Sequence, residues 1–154
     1  MTKPTDMQSL FEAGAGNNDF LSAGKVEETT GLCLSGGGYR AMLYHAGALR
    51  ALNEHGLLPS LAEIASVSGG SITAGALACA WPKLLFASDD RATNFEGEFV
   101  DRVISMAGQA IDIKASLIAL LPGRTAADAI ASAYDRYLFD GASLQDLPDF
   151  PRFT

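Results

Sequence analysis

Two short apolar runs, each leading through a glycine-bearing turn into a helical stretch, constrain this chain more than any other feature. The first run is Thr30–Leu34, followed by Ser35-Gly36-Gly37-Gly38-Tyr39-Arg40. The second is Leu61–Val67, followed by Ser68-Gly69-Gly70. Ser68 stands 32 positions after Gly36, about the length of one strand–helix–strand unit. The strands of such a unit are parallel and its crossover is right-handed, so both turns belong at the carboxyl edge of one sheet. The expected fold class is therefore α/β, with a mainly parallel sheet and the two turns facing each other.

The second turn has the layout of a nucleophile elbow, in which a sharp strand-to-helix turn pushes one hydroxyl out of the backbone. The rule is G-x-S-x-G, and the chain reads Ser66-Val67-Ser68-Gly69-Gly70, with a small serine for the first glycine. Small flanks matter because the residues two before and two after the nucleophile come close together. The following helix turns its free N–H groups toward that hydroxyl, which favours negative charge there. A tight packing turn is the plain alternative. The three glycines of the first turn let successive N–H groups point at one anionic oxygen. A phosphate or nucleotide loop fits poorly: the third glycine of G-x-G-x-x-G would fall on Ala41, and no G-x-x-x-x-G-K-[ST] is present. A serine opposite a cluster of N–H donors is the arrangement that acyl transfer needs.

Tyr39 to His55 reads as a helix, with Met42, Ala46, Leu49 and Leu52 on one stripe. Gly56 suits the residue past its end, Leu57 the hydrophobic contact, and Pro59 bars continuation. His55 reads as a partner of the helix end, and His45 as a packed or locally bonded histidine more often than a catalytic base. A second helix runs from Ser71 to Ala80, where Gly75 suggests close approach to the sheet and Trp81-Pro82 ends the run. Ala87–Gly97 is a polar linker. Glu98–Ala110 and Ile113–Leu121 read as helices, the apolar face of Leu117, Ile118, Leu120 and Leu121 being core or a lipid groove. Thr125 with Asp128 resembles a capping box for a helix to about Leu138, Asp140-Gly141 turns, Leu144–Leu147 is a short segment, and Pro148–Pro151 breaks regularity. Residues 1–29 read as a polar leader, with a short helix near Met7–Ala13.

Composition narrows the function classes. With 48% hydrophobic and 19% charged residues the chain is globular. A net charge of −7 argues against nucleic acid and against simple attraction to anionic membranes. It leaves room for a lipid substrate in an apolar groove and for peripheral membrane contact. Cys33 and Cys79 lie in apolar surroundings without metal-ligand spacing, so two reduced, buried thiols are expected, and with them a cytoplasmic location. No secretory signal begins the sequence, and no uncharged apolar run reaches the roughly 18 residues that span a bilayer.

The motif pair resembles the patatin-like phospholipases. Ser35-Gly36-Gly37-Gly38-Tyr39-Arg40-Ala41 is similar to that family's oxyanion motif [D/S]-G-G-G-x-R-G, with Ala41 departing from the last glycine. Ser66-Val67-Ser68-Gly69-Gly70 is similar to its elbow, with Ser66 departing. The likeness covers Gly31 to about Ala80 and, less sharply, Tyr134 to Thr154. It implies a three-layer α/β/α fold and hydrolysis of lipid acyl esters, of phospholipase A or lysophospholipase type, without a metal or other cofactor. It implies Ser68 as nucleophile of a Ser–Asp dyad, and Gly36, Gly37, Gly38 and Arg40 as the oxyanion element. Asp140-Gly141-Ala142 carries the letters of the family's D-G-[GA] motif, but the family's aspartate lies well past the strand that begins here at Pro151. The acid is therefore expected beyond Thr154, with residues 30–154 a truncated patatin-like domain. The other readings that stand are a non-catalytic interaction domain on the same fold, and a phosphate or nucleotide binder.

Overall fold

The computed structural model describes residues 29–108 and 125–154. The expected polar leader, the Met7–Ala13 helix, the Ile113–Leu121 helix and its apolar face lie outside the described residues. Strand β1 is Thr30–Leu34 and strand β2 is Leu61–Ser66. They pair in parallel, with Leu32 opposite Ile64 and Leu34 opposite Ser66. A short strand β3, Arg152–Phe153, adds in parallel to the other side of β2, giving the order β1-β2-β3. This is the expected α/β fold with a parallel sheet.

Helix α1, Gly38–Glu54, crosses from β1 to β2, and helix α2, Gly69–Ala80, leaves β2. The expected stripe is real: Met42, Ala46 and Leu49 are buried in α1. The end of α1 is a Schellman motif, in which Gly56 N–H donates to Asn53 O (3.0 Å) and Leu57 N–H to Leu52 O (2.9 Å). Gly56 has φ +67°, which a side chain disfavours. The two helices pack on one another, and the buried Thr73 hydroxyl of α2 donates to Met42 O of α1 at 3.1 Å.

The polar stretch Ala87–Gly97 hides two core residues, Ala92 and Phe95. The buried Asn53 side chain holds it through a pair of bonds, Nδ2–H to Ala92 O (3.1 Å) and Ala92 N–H to Oδ1 (2.7 Å). The helix expected from Glu98 starts earlier, with one π turn over Glu96–Val100 that continues as α3, Asp101–Ala107. Phe95 and Phe99 meet in a tilted pair at 5.0 Å between ring centroids and fill the core with Met42, Leu77 and Met106. Helix α4, Ala126–Tyr134, opens on the expected Thr125–Asp128 capping box and ends in a π turn, Asp135–Phe139. Gly75 turns out to serve this last segment rather than the sheet: a Cβ on it would sit 3.0 Å from the Phe139 ring.

Two expectations about the thiols need correction. Cys33 is exposed and Cys79 only half-buried. Along β1 the residues Leu32 and Leu34 face the helices while Gly31 and Cys33 lie on the other face, which the described residues leave uncovered. Alternation along a strand places neighbours on opposite faces, so an apolar run alone did not reveal this.

Candidate active site

The site is built where β1 and β2 end. Because the strands are parallel, both turns leave the same edge of the sheet, and Val67 N–H still donates to Leu34 O at 3.1 Å past the last paired residues. Ser68 then turns the chain with φ 54° and ψ −121° and caps α2 by position, without using its side chain as a cap. A positive φ on a residue with a Cβ costs of order 1–3 kcal/mol, and such strain concentrates at functional sites. Ser68 is exposed, so the hydroxyl stands out of the turn. Ser66, in the first position of the elbow pattern, is held as a strand residue: its N–H donates to Thr154 O at 2.8 Å. A serine is accommodated there because its side chain stays beside β3, its hydroxyl 3.4 Å from the same carbonyl.

The glycines of the two turns are fitted to each other. A Cβ on Gly36 would lie 3.1 Å from Ser68 Cβ and 3.7 Å from its Oγ. The first glycine turn thus faces the serine. A Cβ on Gly69 would collide with the Gly38 carbonyl, and one on Gly70 would lie 2.8 Å from Ser35 O. Only glycine lets the start of α2 approach the first turn this closely. Gly37 and Gly38 take φ +138° and +61°. Gly37 caps α1 without a side chain to satisfy the first N–H groups of that helix. Arg40 is exposed on the first turn of α1, and among the described residues it makes no ion pair.

The two histidines lie within α1 and at its end. His45 is buried, with Nε2 turned to Ser35 at 2.9 Å from its carbonyl oxygen. Sequence reasoning had no means of seeing this bond, which joins residues ten positions apart across the turn. His55 is the exposed residue that caps the C-terminal end of α1, as its position before Gly56 suggested. Asp140 lines a pocket of ≈ 210 Å³ with Cys79, Lys83 and Phe139. Cys79 lies in the last turn of α2 and Ser68 at its start, so the helix separates them by about 16 Å at ~1.5 Å per residue. Asp140 is therefore at the wrong end of α2 to take a proton from Ser68. Partial burial raises the Cys79 thiol above its ordinary value, an effect that Lys83 and Arg102 oppose. Among the described residues no group of His, Cys, Asp or Glu could hold a metal ion, and no helix is long and apolar enough to cross a membrane.

A parallel sheet that carries a strained serine on a strand-to-helix turn, facing a glycine turn, defines an α/β protein with the backbone layout of a nucleophile elbow. Likeness to known proteins places it further. Residues 32–145 match the model of the patatin-like phospholipase family, and the chain belongs to that family. Over 65 residues it is 37% identical to the Saccharomyces cerevisiae protein named "Putative meiotic phospholipase SPO1". That similarity spans 42% of this chain and 10% of the yeast protein. No solved structure matches the chain.

Proposed function

We infer that this protein is a serine lipid acyl hydrolase, of phospholipase A or lysophospholipase type, in which Ser68 Oγ attacks the ester carbonyl. The N–H groups of Gly36, Gly37 and Gly38 stabilise the resulting oxyanion, and Arg40 flanks them. The observation that carries the reading is the close approach of Gly36 to Ser68 at the carboxyl edge of β1 and β2. Fixed dipoles aimed at a developing oxyanion need no reorganisation during the reaction. The start of α2 behind Ser68 adds its positive end to the same charge. A serine hydroxyl remains a poor nucleophile until a neighbour accepts its proton. We assign that role to an aspartate beyond Thr154, because His45 is committed to Ser35 and Asp140 sits at the far end of α2. The substrate is an acyl ester of a lipid, met at a membrane surface by peripheral contact. The two free thiols support a cytoplasmic setting.

The test is release of fatty acid from phospholipid and lysophospholipid by the protein carried past Thr154, beside the 154-residue chain. The longer protein is expected to turn over and to lose all release on Ser68→Ala, while the shorter one turns over poorly. Release that survives Ser68→Ala overturns the assignment.

A further inference from the structure

We propose that His45 is a positioning residue for the glycine turn, holding the Ser35 carbonyl so that the Gly36 N–H keeps one direction beside Ser68. The inference rests on the acyl-transfer reading above for its consequence, though not for its geometry. His45 Nε2 lies 2.9 Å from Ser35 O and 3.3 Å from Ser35 Oγ. A carbonyl oxygen only accepts, so Nε2 must carry the proton and donate. That assignment removes the Nε2 lone pair with which a general base facing this turn would work.

The bond acts on Gly36 through the peptide unit. Ser35 C=O and Gly36 N–H belong to one planar trans unit and point in opposite directions. Fixing the carbonyl on the imidazole therefore fixes the N–H on the other side. The same carbonyl is bounded by α2, where a Cβ on Gly70 would lie 2.8 Å from it. The 35–36 peptide is thus held between a ring of α1 and a glycine of α2. His45 is itself buried, with 5% of its surface exposed, and Tyr44 meets its ring edge-on at 5.4 Å. The anchor is needed because the turn beyond Ser35 is soft: its three consecutive glycines, two at positive φ, have no side chain to hold them. The buried ring reaches back from α1 and ties the entrance of the turn.

Two variants of the chain separate positioning from packing. His45→Leu keeps a buried apolar side chain and removes the donor; His45→Gln restores an N–H donor of similar reach. Nuclear magnetic resonance of the unaltered protein is expected to show the Nε2–H form of His45. The Ser35 carbonyl-carbon resonance is expected to move upfield in His45→Leu and to return in His45→Gln. In the protein that carries the proposed dyad aspartate, Ser68 labelling by a fluorophosphonate should slow by roughly tenfold in His45→Leu, less than the ~10²–10³ for loss of a whole oxyanion donor, and recover in His45→Gln. An Nδ1–H form of His45, or a folded His45→Leu with unchanged Ser35 resonance and labelling, overturns the proposal. If the Ser35 resonance responds but the unaltered protein never labels at Ser68, the acyl-transfer reading fails and the anchor remains.

Discussion

At Ser68 a small local cost is kept in the folded state. Its φ of 54° with ψ −121° suits glycine better than any residue with a Cβ. Ser68→Gly should therefore raise stability, by about 1 kcal/mol at the low end of the usual strain range, while abolishing reaction with a fluorophosphonate. Urea unfolding of the two proteins checks this, and a destabilised glycine variant would mean the turn is unstrained. Gly36→Ala is the complementary change. Its methyl would meet Ser68 Cβ at 3.1 Å, which the turn can yield to by a few tenths of an ångström, yet it stands in the approach to the serine. Labelling of Ser68 should fall by roughly 10² with little loss of stability, the scale of one lost oxyanion interaction. Gly37→Ala is a poorer probe, because φ +138° strains any alanine there and mixes folding with chemistry. The thiols offer a third check. Cys33 is exposed, whereas burial raises the Cys79 thiol and leaves less thiolate at mild alkaline pH. An aromatic disulfide reagent at mildly alkaline pH should modify Cys33 first, and Cys33→Ser should remove the fast phase. The pairing of Ser68 with Gly36 was legible because glycine and serine mark their turns locally. The exposure of Cys33 was not, because it depends on which face of β1 receives a covering layer.

Among the elements, α1 and α2 are fixed to each other through their first turns as much as through their apolar faces. Gly69 and Gly70 have no room for a side chain: the obstacles are the Gly38 carbonyl for the first and the Leu34 and Ser35 carbonyls for the second, which are backbone and cannot swing aside. Gly70→Ala should cost at least the roughly 1–3 kcal/mol usual for overpacking and reduce Ser68 labelling together with stability, read by thermal unfolding beside the labelling rate. A fully stable Gly70→Ala would show that the turns are not in this register. The end of α1 could be read in the sequence, since Gly56, Leu57 and Pro59 form a stop signal whose geometry the Schellman bonds bear out. The start of α3 could not. The polar composition of Ala87–Gly97 conceals Ala92 and Phe95, and the Ala92 backbone is held by the distant Asn53 amide. Local patterns carry no record of a partner 39 positions away.

For the whole molecule, the parallel order β1-β2-β3 brings distant turns to one edge and sends other candidates elsewhere. Asp140 has the letters of a catalytic aspartate but shares a pocket with Cys79 at the end of α2 opposite to Ser68. Asp140→Asn should therefore leave Ser68 labelling unchanged. The parallel sheet and the meeting of the two turns were readable because two strand–turn–helix units at the right separation admit one arrangement, with parallel strands and a right-handed crossover. The central claim, that Ser68 is a nucleophile facing the glycine turn, is tested most directly by treating the protein that carries the proposed dyad aspartate with a fluorophosphonate and mapping the adduct by mass spectrometry. Phosphonylation, like acylation, needs an acceptor for the Ser68 proton, so the aspartate has to be present. The expected result is an adduct on Ser68, absent in Ser68→Ala and slowed in Gly36→Ala; an unmodified Ser68, or modification indifferent to Gly36→Ala, would contradict it.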